Sequence, residues 1–155
     1  MARVSPFLWI SHDAEAALAL YERVFARSGV RVSRSSDPAG ALQIGTLEIG
    51  SSRVMVFNGE AHGVFSFTEA LSLYVSCEDQ DEVDRIWDGL CEGGRPGVCG
   101  WLVDRFGVSW QVVPRCFEEM MAGENDAART RAIEAMLSMS KLDCDALHAA
   151  YDGAP

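Results

Sequence analysis

The sequence predicts an α+β fold made of two β-α-β-β-β modules followed by a helical tail, and three observations predict it. The first is an internal repeat. Set against itself at an offset of 66 (79 minus 13), the chain brings Asp13 onto Asp79, and Ala17, Leu20, Tyr21 and Val24 onto Val83, Ile86, Trp87 and Leu90. Each set has the i, i+3, i+4, i+7 spacing of one buried helix face. The second observation is the stretch Cys99 to Pro114, two short strands joined by a tight turn at Phe106-Gly107. In its second strand Val108, Trp110 and Val112 alternate with Ser109, Gln111 and Val113, so one face should be core and the other a pocket wall. The third is a shift to helix-forming residues beyond Pro114.

The elements follow in order. A strand at Val4 to Ile10 leads to a helix that begins at Asp13, an acidic residue suited to N-capping. Strands follow at Val30 to Ser33, Ala41 to Ile49 and Arg53 to Asn58, with turns at Asp37-Pro38-Ala39-Gly40 and Gly50-Ser51-Ser52. The second module opens with Leu71 to Cys77, where Leu71, Leu73, Val75 and Cys77 alternate with Ser72, Tyr74 and Ser76. Asp79-x-x-Glu82 resembles a capping box, and Gly93-Gly94 is a plausible left-handed stop for the helix between them. A short strand near Arg95 to Val98 precedes the pair Gly100 to Asp104 and Val108 to Val113. The tail reads as helices at Arg115 to Ala122, Asp126 to Ser140 and Asp143 to Tyr151, with breaks at Gly123-Glu124-Asn125 and Lys141-Leu142. On the middle one, Ile133, Met136 and Leu137 form an apolar stripe expected to cover the sheet or a partner subunit. Residues 1–114 are thus expected to form one domain of two half-repeats, about 4–59 and 71–114, with 115–155 as a helical extension.

Composition narrows the function. A chain of 155 residues can bury about two-thirds of its unfolded surface without a covalent staple. Thirteen Lys plus Arg against 23 Asp plus Glu give a net charge of −10, which repels phosphate backbones and anionic lipid, so nucleic acid and membrane partners are disfavoured. No basic-then-apolar leader is visible, and no apolar run approaches the ~20 residues of a membrane span, so a cytoplasmic protein is expected. Five cysteines, Cys77, Cys91, Cys99, Cys116 and Cys144, are odd in number and irregularly spaced. They read as free thiols rather than a zinc site.

Three segments, P-F-L-W-I at Pro6 to Ile10, S-C-E-D-Q-D-E-V-D at Ser76 to Asp84, and C-G-W-L-V-D-R-F-G-V-S-W-Q-V-V-P at Cys99 to Pro114, carry a resemblance. Together they resemble the PhnB-like branch of the vicinal-oxygen-chelate superfamily, which includes glyoxalase I, extradiol dioxygenases and bleomycin-resistance proteins. Many members of the branch carry the label 3-demethylubiquinone-9 3-methyltransferase. The resemblance spans Val4 to about Tyr151. It implies the vicinal-oxygen-chelate fold, a curved mixed sheet of eight strands shaped as a cup with helices outside. It also implies a homodimer that covers open sheet edges, and a small-molecule ligand.

Metal-dependent members hold a divalent cation through inward-facing His and Glu residues. By the offset of 66, Pro6 and Ser72 match each other and fall where glyoxalase I has His, Gln111 falls where it has a second-half Glu, and the first-half counterpart lies within Val54 to Phe57. These are poor ligands for a hard cation, so no metal and no other cofactor is expected. His12, His62 and His148 stand in contexts that give no convergent geometry. A site outside the family arrangement would draw on His62, Glu60 or Glu69. The residues left to line a pocket are Trp9, Phe57, Asn58, Phe67, Ser72, Tyr74, Trp101 and Gln111, a mixture suited to stacking and neutral hydrogen bonds. Asn58-Gly59 also has hairpin propensity.

Two classes of function stay open at this level. One is a binding protein that sequesters a hydrophobic ligand. The other is a metal-independent isomerase or lyase in which Cys99, Tyr74 or Glu48 acts as acid, base or nucleophile. The methyltransferase label finds no support in the residues. A Rossmann-type methyltransferase needs a Gly-rich turn after its first strand, and Ser11-His12-Asp13 holds no glycine.

Overall fold

The structure is a computed structural model and describes residues 2–11, 13–59 and 66–153. The chain forms two compact units, Met1–Ser66 and Phe67–Pro155, with the helical tail in the second.

In the first unit β1 (Phe7–Ile10), α1 (Ala14–Val24), β2 (Arg31–Ser36), β3 (Leu42–Ile49) and β4 (Ser52–Asn58) give the expected β-α-β-β-β module. The sheet runs β1-β4-β3-β2, with β1 parallel to β4 and the other pairs antiparallel. One face buries Leu8, Ile10, Leu47 and Val56 together with Ala17, Leu18, Leu20, Tyr21 and Val24 of α1. Gly45 permits that contact, since a Cβ there would stand 2.2 Å from Leu18 Cδ1.

The second unit repeats the plan with β5 (Leu73–Cys77), α2 (Gln80–Cys91), β6 (Arg95–Pro96), β7 (Trp101–Val103) and β8 (Ser109–Pro114), in the order β5-β8-β7-β6. Here Cys77, Leu102, Trp110 and Val112 are buried along with Val83, Ile86, Trp87 and Leu90 of α2. The four apolar positions predicted on each helix are therefore buried in both units. The turn before β8 is closed by the buried Asp104, whose carboxylate accepts from the Phe106 and Val108 N–H groups and from Trp110 Nε1. Gly107, at φ 86°, takes the left-handed position of that turn.

The two modules differ at the corner between first strand and helix. Asp13 and Asp79 both act as N-caps, accepting from Ala16 N and Glu82 N respectively. Glu82 reaches back to the N–H of Glu78, so the capping box closes one residue ahead of the cap. Two residues separate β1 from its cap and only one separates β5 from its own. Asp13 accordingly sits at φ 58°, a left-handed geometry, whereas Asp79 is extended. An offset of 66 that aligns the helices therefore misaligns the strands by one. Leu8 and Ile10 correspond to Val75 and Cys77, an offset of 67, and the match of Pro6 to Ser72 is corrected to Ser5. In a strand a slip of one residue exchanges the two faces.

The tail folds as α3 (Arg115–Ala122), α4 (Asp126–Leu137) and α5 (Cys144–Asp152). Their core joins Met120, Ala132, Leu142 and Leu147 to Val113 of β8. The expected stripe on α4 is split between packed and exposed positions. Ala128 and Ala132 are the buried positions and Met136 packs beside them, but Ile133 and Leu137 are exposed. Small residues let α4 approach its neighbours closely, which turns the bulky pair outward. Arg131 closes the end of α5 by donating to the carbonyls of Ala150 and Tyr151. No helix among the described residues is long and apolar enough to cross a membrane.

Candidate functional site

Strand register decides which residues share a face. In the second unit Tyr74, Gln111 and Trp101 occupy one row across β5, β8 and β7, on the side of the sheet away from α2. Gln111 Nε2 donates to Ser72 Oγ at 2.8 Å, which brings four of the predicted ligand residues onto one surface. Phe67 lies by the β7–β8 turn, where a Cβ on Gly107 would come within 3.7 Å of its ring.

This face is less open than alternation along β8 alone predicts. Ser109 and Val113 share it with Gln111, yet both are buried, and of the three only Gln111 keeps partial exposure. At Val113 the cause is the tail, whose core takes that side chain in. Strand β8 passes into α3 at Pro114 without a linker, so the first turns of that helix fold back over the end of the sheet. Glu118 there accepts from Tyr74 Oη at 2.7 Å and from Ser76 Oγ at 2.8 Å. Desolvation, then the Glu118 carboxylate, hold the Tyr74 phenol well above its ordinary value. Neither Glu118 nor Ser76 stands out by sequence pattern. The missing linker at Pro114 was the available signal for Glu118.

The corresponding face of the first unit is aromatic. Trp9 and Phe57 are register partners, and their rings meet edge to face at 5.3 Å. Phe7 stacks on Phe57 at 5.8 Å with the planes 27° apart. Trp9 Nε1 donates to the Gly59 carbonyl at 2.8 Å, and a Cβ at Gly59 would collide with Phe57 at 2.3 Å. Glycine is thus required here by the closeness of the rings. Phe7 is half-exposed and joins the predicted Trp9 and Phe57. Asn58 does not. It is the partner of Ile10, on the side that carries α1, and donates to the Leu42 carbonyl.

The three catalytic candidates are scattered in their surroundings. Tyr74 is on the polar face. Cys99 stands at φ 57° ahead of β7, its N–H bonded to the Met139 carbonyl of the tail. Glu48 is held by Arg31 across β2 and β3 at 3.0 Å. Among the described residues, no three His, Cys, Asp or Glu side chains gather in a metal-ligating arrangement, and every buried side-chain N or O atom has a partner. His12, Glu60 and His62 lie outside the described residues. Glu69 pairs with Arg95 beside a shallow recess that Trp101 also lines. Its enclosed space of about 30 Å³ holds water and not an organic ligand.

Comparison with known proteins gives the arrangement a family. A search of curated proteins returned no match. Among solved structures, the PhnB protein of Bacillus cereus is similar at 28% identity and a TM-score of 0.62, over 73% of this chain and 99% of that one. A glyoxalase/bleomycin resistance protein from Albidiferax ferrireducens is similar at 12% identity and a TM-score of 0.51, over 71% of this chain and 97% of that one. The fosfomycin resistance protein FosX from Listeria monocytogenes, a complex with Mn(II) and sulfate, is similar at 13% identity and a TM-score of 0.51, over 70% and 88%. At such identities the last two speak to the fold alone. The model of the family described as 3-demethylubiquinone-9 3-methyltransferase matches residues 2–113. The chain therefore belongs to that family, the PhnB-like branch of the vicinal-oxygen-chelate superfamily.

Proposed function

We propose that this protein binds a small apolar or aromatic molecule without the help of a metal ion. The observation that carries the reading is the chemistry of the two sheet faces that lack a module helix. One offers the Phe7, Trp9 and Phe57 rings, the other Ser72, Gln111 and Trp101, and these side chains supply stacking and neutral hydrogen bonds rather than ionic ligands. Ser5, the corrected counterpart of Ser72, and Met55, which pairs with Phe7 as Gln111 pairs with Tyr74, are no better suited to a hard cation.

Native mass spectrometry of gently purified protein tests the reading. A copurifying organic ligand is expected, with tryptophan emission changing as it is removed. Near-stoichiometric manganese, zinc, nickel or iron that is lost in Gln111→Ala would overturn metal independence. S-adenosylmethionine binding in a calorimeter would overturn the rejection of methyl transfer.

The arrangement of Tyr74, Ser76 and Glu118 favours a second reading, a metal-independent isomerase or lyase with Glu118 as the proton-transferring group. Turnover of a carbonyl or epoxide substrate that Glu118→Gln abolishes, with binding retained, would establish it over sequestration. Cys99 and Glu48 receive less support, because neither has a base and nucleophile partner on the polar face. In either reading we propose a homodimer in the cytoplasm, for which light scattering is the test and a monomer mass at all micromolar concentrations the contrary result.

A further inference from the structure

The row of Tyr74, Gln111 and Trp101 sets an amide between two aromatic side chains. Strand β8 lies between β5 and β7, and Gln111 is the register partner of Tyr74 on one flank and of Trp101 on the other. Two strand spacings put the Cα atoms of the aromatic pair about 9.5 Å apart, which leaves room for one flat ring between their side chains. Tyr74 is half-exposed and held by its bond to Glu118, and Trp101 is partly exposed.

The amide is only half used. Ser72 Oγ accepts one of the two Nε2 hydrogens of Gln111. Among the described residues Gln111 Oε1 has no partner, and no buried side-chain oxygen lacks one, so Oε1 faces solvent. The group therefore presents an acceptor and a donor side by side in one plane. An anion offers only acceptors and is opposed by Oε1, by Glu118 and by the net charge of −10. A cation offers only donors and leaves the Nε2 hydrogen unanswered.

We propose that this row binds a flat, neutral heterocycle whose edge carries an N–H next to a C=O, the lactam arrangement. The proposal rests on the small-molecule reading above and gives it a ligand class. The ring N–H donates to Gln111 Oε1 and the ring carbonyl accepts from Nε2, as a Gln side chain reads the donor and acceptor of an adenine edge. Tyr74 and Trp101 stack on the two faces of the ring. Ser72 is a positioning residue. By taking the other hydrogen it fixes which way the amide points.

The test compares 2-quinolone, a two-ring lactam, with 1-methyl-2-quinolone, in which a methyl group replaces the N–H. Each is titrated into the full-length protein in a calorimeter. The lactam is expected to bind about tenfold tighter or more, because methylation leaves Oε1 without its hydrogen. In Gln111→Leu the two rings should bind alike, and in Trp101→Ala both should weaken together. Ser72→Ala should narrow the gap between them, and Ser72→Thr, which keeps the hydroxyl, should restore it. Equal affinity of the wild-type protein for the two quinolones would overturn the lactam class while leaving an apolar binding role standing. Binding of neither at millimolar concentration would overturn it as well, and the absence of any copurifying ligand would then sink the wider reading too. The comparison on the wild-type protein decides the matter even if a variant fails to fold.

Discussion

The two units share a plan and differ in what they do with it. On the helix side they are near copies, with Tyr21 and Trp87 in the same place on α1 and α2 and both buried. On the opposite side one is aromatic and the other polar. The first stacks Phe7 on Phe57 and sets Trp9 edge to face against it, and the second carries Ser72, Tyr74 and Gln111, with Glu118 bonded to Tyr74. The difference teaches that the repeat is a constraint of packing, since a helix must fill its groove, and that the free face of each sheet can change its chemistry without disturbing the fold.

The largest effects should come from breaking the shared side. Tyr21→Ala and Trp87→Ala each remove a large buried ring and are expected to cost about 3–5 kcal/mol in denaturant unfolding. A loss under 1 kcal/mol at either position would mean that the modules are not packed alike. The next effect concerns the aromatic face alone. Gly59→Ala forces a methyl group into the Phe57 ring and should cost about 1–3 kcal/mol, with a shift in Trp9 emission. Unchanged emission would show that the ring cluster does not depend on this close approach.

Alkaline pH should separate the units. Cys77 is pushed up to about 12 by burial, from an ordinary 9.0, Cys144 likewise, and Tyr74 is also raised, all three in the second unit. A folded-state pKa above the unfolded value gives stability that is complete below the unfolded pKa and lost as pH climbs toward the folded one. The second unit should therefore weaken from about pH 9 upward, where its unfolded thiols begin to ionise. Trp9 is the one tryptophan of the first unit, so emission from a variant keeping only Trp9 can be compared with one keeping only Trp87. Simultaneous loss of both signals at a single pH would contradict independent response. The smallest effect is expected at Arg31→Ala, which removes an exposed pair with Glu48 and should change stability by no more than about 0.5 kcal/mol. A larger loss would give Glu48 a role beyond the surface.

The sequence made the number, kind and order of the elements legible, because helix periodicity and strand alternation are properties of single segments. Register was harder. The repeat offset comes from the helices, and a corner longer by one residue before Asp13 is invisible to it, so it sets Pro6 where Ser5 belongs. Nothing in the sequence marks Phe7, because Pro6 to Ile10 is apolar throughout and favours neither face. Ile133 and Leu137 drew attention by size, whereas α4 packs through Ala128 and Ala132. Asn58 suits a pocket by residue type, but its register with Ile10 sets it on the other side. Glu118 is a matter of tertiary return. Its partners are 44 and 42 residues away in the chain.

The junction at Pro114 also governs how force enters the second unit. Strand β8 is bonded on both flanks, to β5 in parallel and to β7 in antiparallel, and continues directly into α3. A pull on the tail along the strand axis would load both ladders at once, in shear, instead of peeling an outer strand bond by bond. In a tethering experiment the second unit should yield at higher force when held through its C-terminal helices than when held through β6, whose ladder with β7 spans only Arg95 and Pro96.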